Sequence, residues 1–266
     1  MKSGPTYSII IPAFNEAERL PATLDSVLTH LLARSWNAEI IVVNDGSTDG
    51  TAAVVQRYAA AHSAVRWIDN GTNRGKGHSI RRGVEEAAGE IVLFIDADNS
   101  TPIEDAEKLF QTIAAGADIA VGSRWVDRRS QLRRQPLHRR LNGRIYNLLT
   151  RTLLVQGLKD TQNGFKAYTR RAMKTIFALQ RIAGWGFDVE ALYLAQRFGF
   201  VVREVAVDYT YTPEGSKVRP YRDGLRMFAE LLLVKWYAIT GAYPRRVESG
   251  RAPRARFPDL SLENDS

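Results

Sequence analysis

The sequence predicts an α/β fold built on a mostly parallel sheet flanked by helices, and three observations predict it. Short continuous apolar runs rich in β-branched residues recur along the first half of the chain, as expected of parallel strands buried on both faces. Helical patterns separate these runs, and strand-helix alternation demands right-handed crossovers. Acidic residues and glycines cluster where the runs end, and in such sheets ligands sit beyond the carboxyl ends of the strands.

The first run is Tyr7 to Ala13 (YSIIIPA), followed by a helical pattern from Ala17 to Leu32. Glu39 to Asn44 (EIIVVN) and Val65 to Ile68 are the next strands, with a helix from Gly50 to His62 between them. A helix from Gly75 to Ala88 leads to the strand Ile91 to Asp96 (IVLFID), and one from Pro102 to Ala114 leads to Asp118 to Gly122. After Ser123 the rhythm changes to an arginine-rich connection, a helix from Leu137 to Leu154, and a loop carrying DTQNGFKAY from Asp160 to Tyr168. A helix from Asp188 to Phe198 and the strand-like VVREVAVDYTYT follow. This half reads as an appendage completing a site. Tyr221 to Tyr243 is an amphipathic helix, its apolar face (Leu225, Phe228, Leu231, Leu232, Trp236, Ile239) interrupted by Lys235. The expected organisation is one domain over 1–243, divided at 123, and a disordered tail over 244–266.

A chain of 266 residues, 44% apolar and 25% charged, can bury one core with extensions. The absence of cysteine excludes disulfides, thiolate metal sites and cysteine nucleophiles. The first strand signal starts by Tyr7, too early for a signal peptide to precede it, so a cytoplasmic protein is expected. The net charge of +8 invites anionic partners. It is uneven: eight arginines against one acid, Asp127, between Arg124 and Arg144, and a second run from Arg245 to Arg256. No aromatic stacking motif is interleaved with the first run, which argues against nucleic acid. No window is long and apolar enough to span a bilayer, so membrane contact is expected to be peripheral, on the inner face.

The strongest chemical signal is DADNS, Asp96 to Ser100, directly after IVLFI. Two carboxylates at i and i+2 at a strand end can offer oxygen ligands to a hard divalent cation that in turn holds a diphosphate. Asp98 is the candidate direct ligand, with Asp96 nearer the nucleoside; a helix entry capped by Asn99 or Ser100 is the structural alternative. Asp45, in NDGSTDG, can accept from a ribose hydroxyl or a base N–H, or belong to a turn capped at Ser47 or Asp49. PAFNE puts Asn15 and Glu16 on the same edge, where Glu16 can bind a nucleoside hydroxyl or start a helix. NRGKGHS, Asn73 to Ser79, places Lys76 between glycines ahead of a helix, suited to a phosphate without being a P-loop.

Taken in order, PAFNE, NDGSTDGT, NRGKG, DADNS and GSR resemble the motif series of the family 2 glycosyltransferases, whose fold is GT-A. DTQNGFKAYTR, GWGFDVEALYLAQ, EGSKV and YAITGAY are similar to the dolichyl-phosphate β-glucosyltransferases and, less closely, to their mannosyltransferase relatives. The likeness spans about Tyr7 to Tyr243. It implies a nucleotide-sugar donor, UDP-glucose favoured, a Mg2+ or Mn2+ ion at Asp98 and Asp96, and a polyprenyl phosphate acceptor. Pro12, Ala13, Asn15, Glu16, Asp45, Lys76, Asp96, Ala97 and Asp98 would form the donor site. Asn44 stands where many relatives carry aspartate.

A prenyl phosphate is already a nucleophile, so the site must manage repulsion between two phosphates rather than supply a strong base. Arginines suit that role. The acceptor candidates are Ser123, Arg124, Arg133, Arg134, Asp160, Gln162, Lys166, Lys217 and Arg219. Asp98, Arg124 and Asp188 are the catalytic candidates. Asp160 can orient an arginine or contact the sugar, and Asp188 can contact sugar or acceptor or cap its helix. Arg128, Arg129, Arg139 and Arg140 read as a solvated or membrane-facing patch. A GDP-mannose donor and a hydroxyl acceptor are the alternatives; the second needs a base, for which Asp188 is the applicant.

Overall fold

The computed structural model describes residues 4–127, 131–133, 137–210 and 220–244. In chain order the elements are β1 (Tyr7–Ala13), α1 (Leu20–Ala33), β2 (Ala38–Asn44), α2 (Thr51–Ala61), β3 (Val65–Asp69), α3 (Lys76–Glu86), β4 (Ile91–Phe94), α4 (Ala106–Ala114) and β5 (Ile119–Ser123). The second half adds β6 (Gln131–Arg133), α5 (Leu137–Leu153), β7 (Lys166–Thr169), α6 (Arg170–Phe177), α7 (Phe187–Arg197), β8 (Val202–Ala206), β9 (Tyr209–Thr210) and α8 (Pro220–Ile239).

Seven strands form one sheet in the order β3-β2-β1-β4-β7-β5-β8. Every pairing is parallel except those of β7, which runs antiparallel to both β4 and β5. The side-chain period of two divides β1 between two cores: Ile10 packs with Ile41, Ile80 and Phe94 on one face, Ile9 and Ile11 with Leu20, Leu24 and Val42 on the other. Burial on both faces is why these strands read as unbroken apolar runs.

Several expectations are corrected. KAYT, read as loop, is the strand β7 and is followed by the helix α6, capped by the Thr169 hydroxyl. The second half is no appendage, because β7 and β8 complete the main sheet. VVREVAVDYTYT is not one strand: β8 joins the main sheet, while β9 pairs with β6 in a separate two-stranded ladder. The helix expected from Pro102 begins as a 3-10 turn, Ile103–Asp105. The last helix ends at Ile239, after which Gly241, with φ of 76°, turns the chain back so that Tyr243 is buried at 1% exposure. The 245–266 tail lies outside the described residues.

Candidate active site

Because β1, β2, β4 and β5 are parallel, their carboxyl ends share one edge, and β7 enters the sheet from that same edge, Lys166 lying opposite Phe94 and Val121. PAFNE, NDGS, DADNS, GSR and the segment leading into β7 therefore meet. β3 ends on this edge too, and its following loop brings in Lys76.

Asp96 and Asp98 are the centre. The Lys76 Nζ donates to Asp96 Oδ1 at 2.5 Å, and their side chains are 14% and 34% exposed. Burial alone would raise Asp96, but Lys76, with Lys166 and Arg124 behind it, holds the carboxyl below the ordinary range. Burial opposes the Lys76 charge, yet the fields of Asp96 and Asp188 prevail and raise it. Asp98 goes the other way, pushed up by burial and then by the charge of Asp96. It accepts from the Ser100 N–H at 3.1 Å and lies 3.8 Å from Arg19. The turn between them is fixed by the Ala97 carbonyl, which accepts from the Thr23 hydroxyl at 2.9 Å, and by Asn99 at φ 51°.

Two hard carboxylates on an open edge, one raised by the other's charge, suit a divalent cation. Among the described residues no group of three or more His, Cys, Asp or Glu side chains could hold a metal. A Mg2+-like ion bound here by one or two carboxylates would therefore be completed by water or phosphate oxygens, as such ions commonly are.

The remaining donor candidates divide. Pro12 and Ala13 form the last residues of β1, Ala13 buried. Asn15, at φ 55°, accepts from the Thr48 N–H at 2.8 Å, and its own N–H donates to Ser47. Glu16 is clamped by Arg19 through two hydrogen bonds of 2.7 and 2.5 Å. Asp45 is 3% exposed and accepts from Asn70 Nδ2 and from the Arg74 and Gly75 N–H groups. It holds the NRGKG loop in place rather than facing open solvent.

On the other side, Arg124 donates to Asp160 from Nε and Nη2 at 2.7 and 2.9 Å and from its backbone N–H at 3.1 Å. Burial would raise Asp160, but Arg124 holds it below the carboxylate range. Both Asp160 carboxylate oxygens are thus engaged by Arg124. Ser123 is fully buried, and Gln162 is partly exposed on the loop behind Asp160. Lys166 is fully buried, its ammonium committed to Asp188 and the Asn163 carbonyl, both at 2.6 Å. Lys166 and Asp188 are thus paired with each other, and Asp188 does not cap its helix, whose N-cap is Gly186. The side chain of Arg133 and residues Arg134, Lys217 and Arg219 lie outside the described residues, as do the side chains of Arg128, Arg129, Arg139 and Arg140.

Sequence reading missed three residues. Arg19 touches both Glu16 and Asp98, a pairing hinted at only by the Glu16 to Arg19 helical spacing. Gly164 lies so close to Asp96 that a Cβ there would sit 2.4 Å from Oδ2. Trp185, 36% exposed, has its ring 5.3 Å from Lys76 Nζ. A cleft of about 810 Å³ is lined by Trp125, Val126, Leu148, Arg144, Arg151 and Lys159, Trp125 and Lys159 being the chain neighbours of Arg124 and Asp160.

Fold and site together define an α/β protein with a carboxylate pair and opposed cations at the carboxyl edge of its sheet. Residues 8–177 match the family model of glycosyl transferase family 2. The chain belongs to this family and is a glycosyltransferase. It is 37% identical to the dolichyl-phosphate beta-glucosyltransferase of Homo sapiens over 257 residues, 92% of this chain and 78% of that protein. It is 35% identical to the enzyme of the same name from Dictyostelium discoideum, over 89% of this chain and 76% of that one. Among solved structures it resembles glucosyl-3-phosphoglycerate synthase from Mycobacterium tuberculosis, in complex with Mn2+, UDP-glucose and phosphoglyceric acid. The TM-score is 0.64 at 21% identity, covering 88% of this chain and 81% of that one. This likeness is one of fold, and that fold is GT-A.

Proposed function

We propose that this enzyme transfers glucose from UDP-glucose to a dolichyl-type polyprenyl phosphate, inverting the anomeric carbon, at the cytoplasmic face of a membrane. The observation that carries the reading is the Lys76–Asp96–Asp98 group, with Arg124 near enough for its charge to act on Asp96, and a cleft lined by Trp125 and Lys159, the chain neighbours of Arg124 and Asp160. The names of the 34–37% identical relatives supply sugar and acceptor.

A divalent cation, Mg2+ or Mn2+, held by Asp98 with Asp96 beside it, would supply Lewis-acid stabilisation of the leaving diphosphate. Lys76 adds a fixed positive charge on the donor side. An acceptor phosphate oxygen forms the new bond to the anomeric carbon as the bond to UDP breaks, and UDP leaves with that electron pair. Arg124, held rigid by three hydrogen bonds to Asp160, offsets the repulsion between the two phosphates. The cleft takes the acceptor: Arg144, Arg151 and Lys159 meet the phosphate, and Trp125, Val126 and Leu148 meet the first isoprene units. A hydroxyl acceptor is disfavoured because Asp188, the base it would need, is ion-paired with buried Lys166.

Among the described residues no helix is long and apolar enough to cross a membrane. α8 instead presents Leu225, Phe228, Leu232, Trp236 and Ile239 at 39–73% exposure, beside Ile145 and Leu148 of α5. This face and the flanking arginines suit peripheral attachment to anionic lipid.

Radiolabelled UDP-glucose or GDP-mannose with Mg2+ or Mn2+ and a short polyprenyl phosphate, counted in the organic phase, tests the reading. Transfer from UDP-glucose that Asp98→Ala abolishes supports it. Transfer from GDP-mannose alone overturns the sugar, and UDP release without labelled lipid overturns the acceptor.

A further inference from the structure

The segment Gln180–Gly186 belongs to neither the donor edge nor α8, yet it is gripped by both. On the donor side, the Ala183 carbonyl accepts from the His78 N–H at 3.1 Å, and Gln180 Nε2 donates to the Gly77 carbonyl at 2.9 Å. The contact is backbone against backbone: a Cβ on Gly75 or Gly77 would lie 2.5 or 2.6 Å from the Ala183 or Ile182 carbonyl oxygen. The Trp185 ring lies over Lys76, whose ammonium holds Asp96.

On the far side, Glu230 in the middle of α8 accepts from the Gly186 N–H at 2.7 Å, its side chain only 12% exposed. Its carboxylate occupies the space a side chain at residue 184 would need, a Cβ there lying 1.9 Å from Oε1. A second strap runs through buried Glu190, which accepts from the Arg181 and Ile182 N–H groups, both at 2.8 Å, and from the Tyr243 hydroxyl at 2.7 Å. Arg181 donates to the Ala242 carbonyl and stacks on Tyr237. The outer face of the same helix is the exposed apolar stripe.

We propose that Glu230 is a positioning residue for the donor site: by fixing the Gly184–Gly186 backbone it places Trp185 and the Gly75–His78 turn, and through them Lys76. Glu230 lies on the helix assigned above to lipid attachment, so the seating of α8 is linked to donor binding through this loop; the lipid half of the link rests on the proposed function. The physical basis is a chain of buried and part-buried hydrogen bonds in which none of Gly75, Gly77, Gly184 and Gly186 can be replaced without moving a neighbour.

Hydrogen–deuterium exchange on the full chain tests the proposal without any substrate. Glu230→Ala is expected to speed exchange in residues 74–78 at least about tenfold, as loss of a part-buried charge-assisted hydrogen bond of about 1.4 kcal/mol or more allows. Glu230→Gln, which keeps an acceptor for the Gly186 N–H, should restore slow exchange. In transfer assays Glu230→Ala and Trp185→Ala should raise the KM for UDP-glucose and leave the KM for polyprenyl phosphate unchanged, with Trp185→Phe retaining most of the donor affinity. Unchanged exchange at 74–78 in Glu230→Ala overturns the proposal, and so does a uniform rise across the whole chain. If wild type transfers nothing, the proposed function fails while the exchange result still decides the positioning role.

Discussion

Arg124 is held at the sheet edge by a carboxylate that is 1% exposed, and the pair sets a testable pH dependence. Asp160 titrates below its ordinary value in the fold, so its contribution to stability is complete above the unfolded value of about 4 and is lost as pH falls through the lower folded value. Asp160→Asn is expected to cost about 3 kcal/mol or more near pH 7, because it strands a buried cation. Urea denaturation of both proteins from neutral pH downward should show that difference shrink below about pH 4. Gly164→Ala tests the other side of the site. The added methyl must displace Asp96, so UDP binding with Mn2+, measured by calorimetry, should fall at least about tenfold, roughly the 1.4 kcal/mol of one charge-assisted hydrogen bond. At this scale the sequence was legible wherever a polar residue directly follows an apolar strand run, as Asp96, Asp98 and Arg124 do. Beyond offering Asp160 to an arginine, it was silent on which groups satisfy these carboxylates. Asp45 is taken by a loop 25 to 30 positions away, and Asp188 by a lysine 22 positions away. Those pairings exist only once the chain has folded.

Among elements, the first nine, β1 to β5 and α1 to α4, were readable because β1, β2, β4 and β5 are buried on both faces, the edge strand β3 keeps a short apolar signal, and each helix lies between two strands. β7 was not readable. Its four residues KAYT carry no run of their own, and they become a strand because β4 and β5 leave a gap that an antiparallel segment fills. That insertion buries Lys166 in the sheet, which is tolerated only with Asp188 opposite. Lys166→Ala should therefore destabilise by about 3–5 kcal/mol in denaturant melts, and Lys166→Met with Asp188→Leu should recover much of that loss, since the cost is an uncompensated charge rather than a missing bond. α8 was readable as amphipathic, but its length was overestimated because the turn at Gly241 and the burial of Tyr243 against α7 are tertiary facts. Its exposed Trp236 and Ile239 make no core contact that explains them. Replacing both with alanine should lower vesicle partition by about tenfold or more, from the transfer free energy of two apolar side chains, with the melting temperature unchanged.

For the whole molecule, the net charge of +8 and the apolar stripe of α8 predict two separable contributions to lipid binding. Each basic residue near an anionic surface is worth about 1 kcal/mol, and that share decays as the screening length falls from about 10 Å at 0.1 M salt to about 3 Å at 1 M. Burial of Leu232, Trp236 and Ile239 is not screened. Partition onto vesicles with and without anionic lipid, titrated over that salt range, should show a preference for anionic vesicles that collapses at high salt above a floor insensitive to it. The alanine pair on α8 should lower the floor about tenfold and leave the salt slope intact, because neither residue carries charge. If the slope disappears with the floor, the arginines reach the surface only after the helix inserts, and attachment is sequential rather than additive. Absence of any salt slope would mean that the arginine-rich stretch from Arg124 to Arg144 faces the acceptor cleft and not the lipid surface.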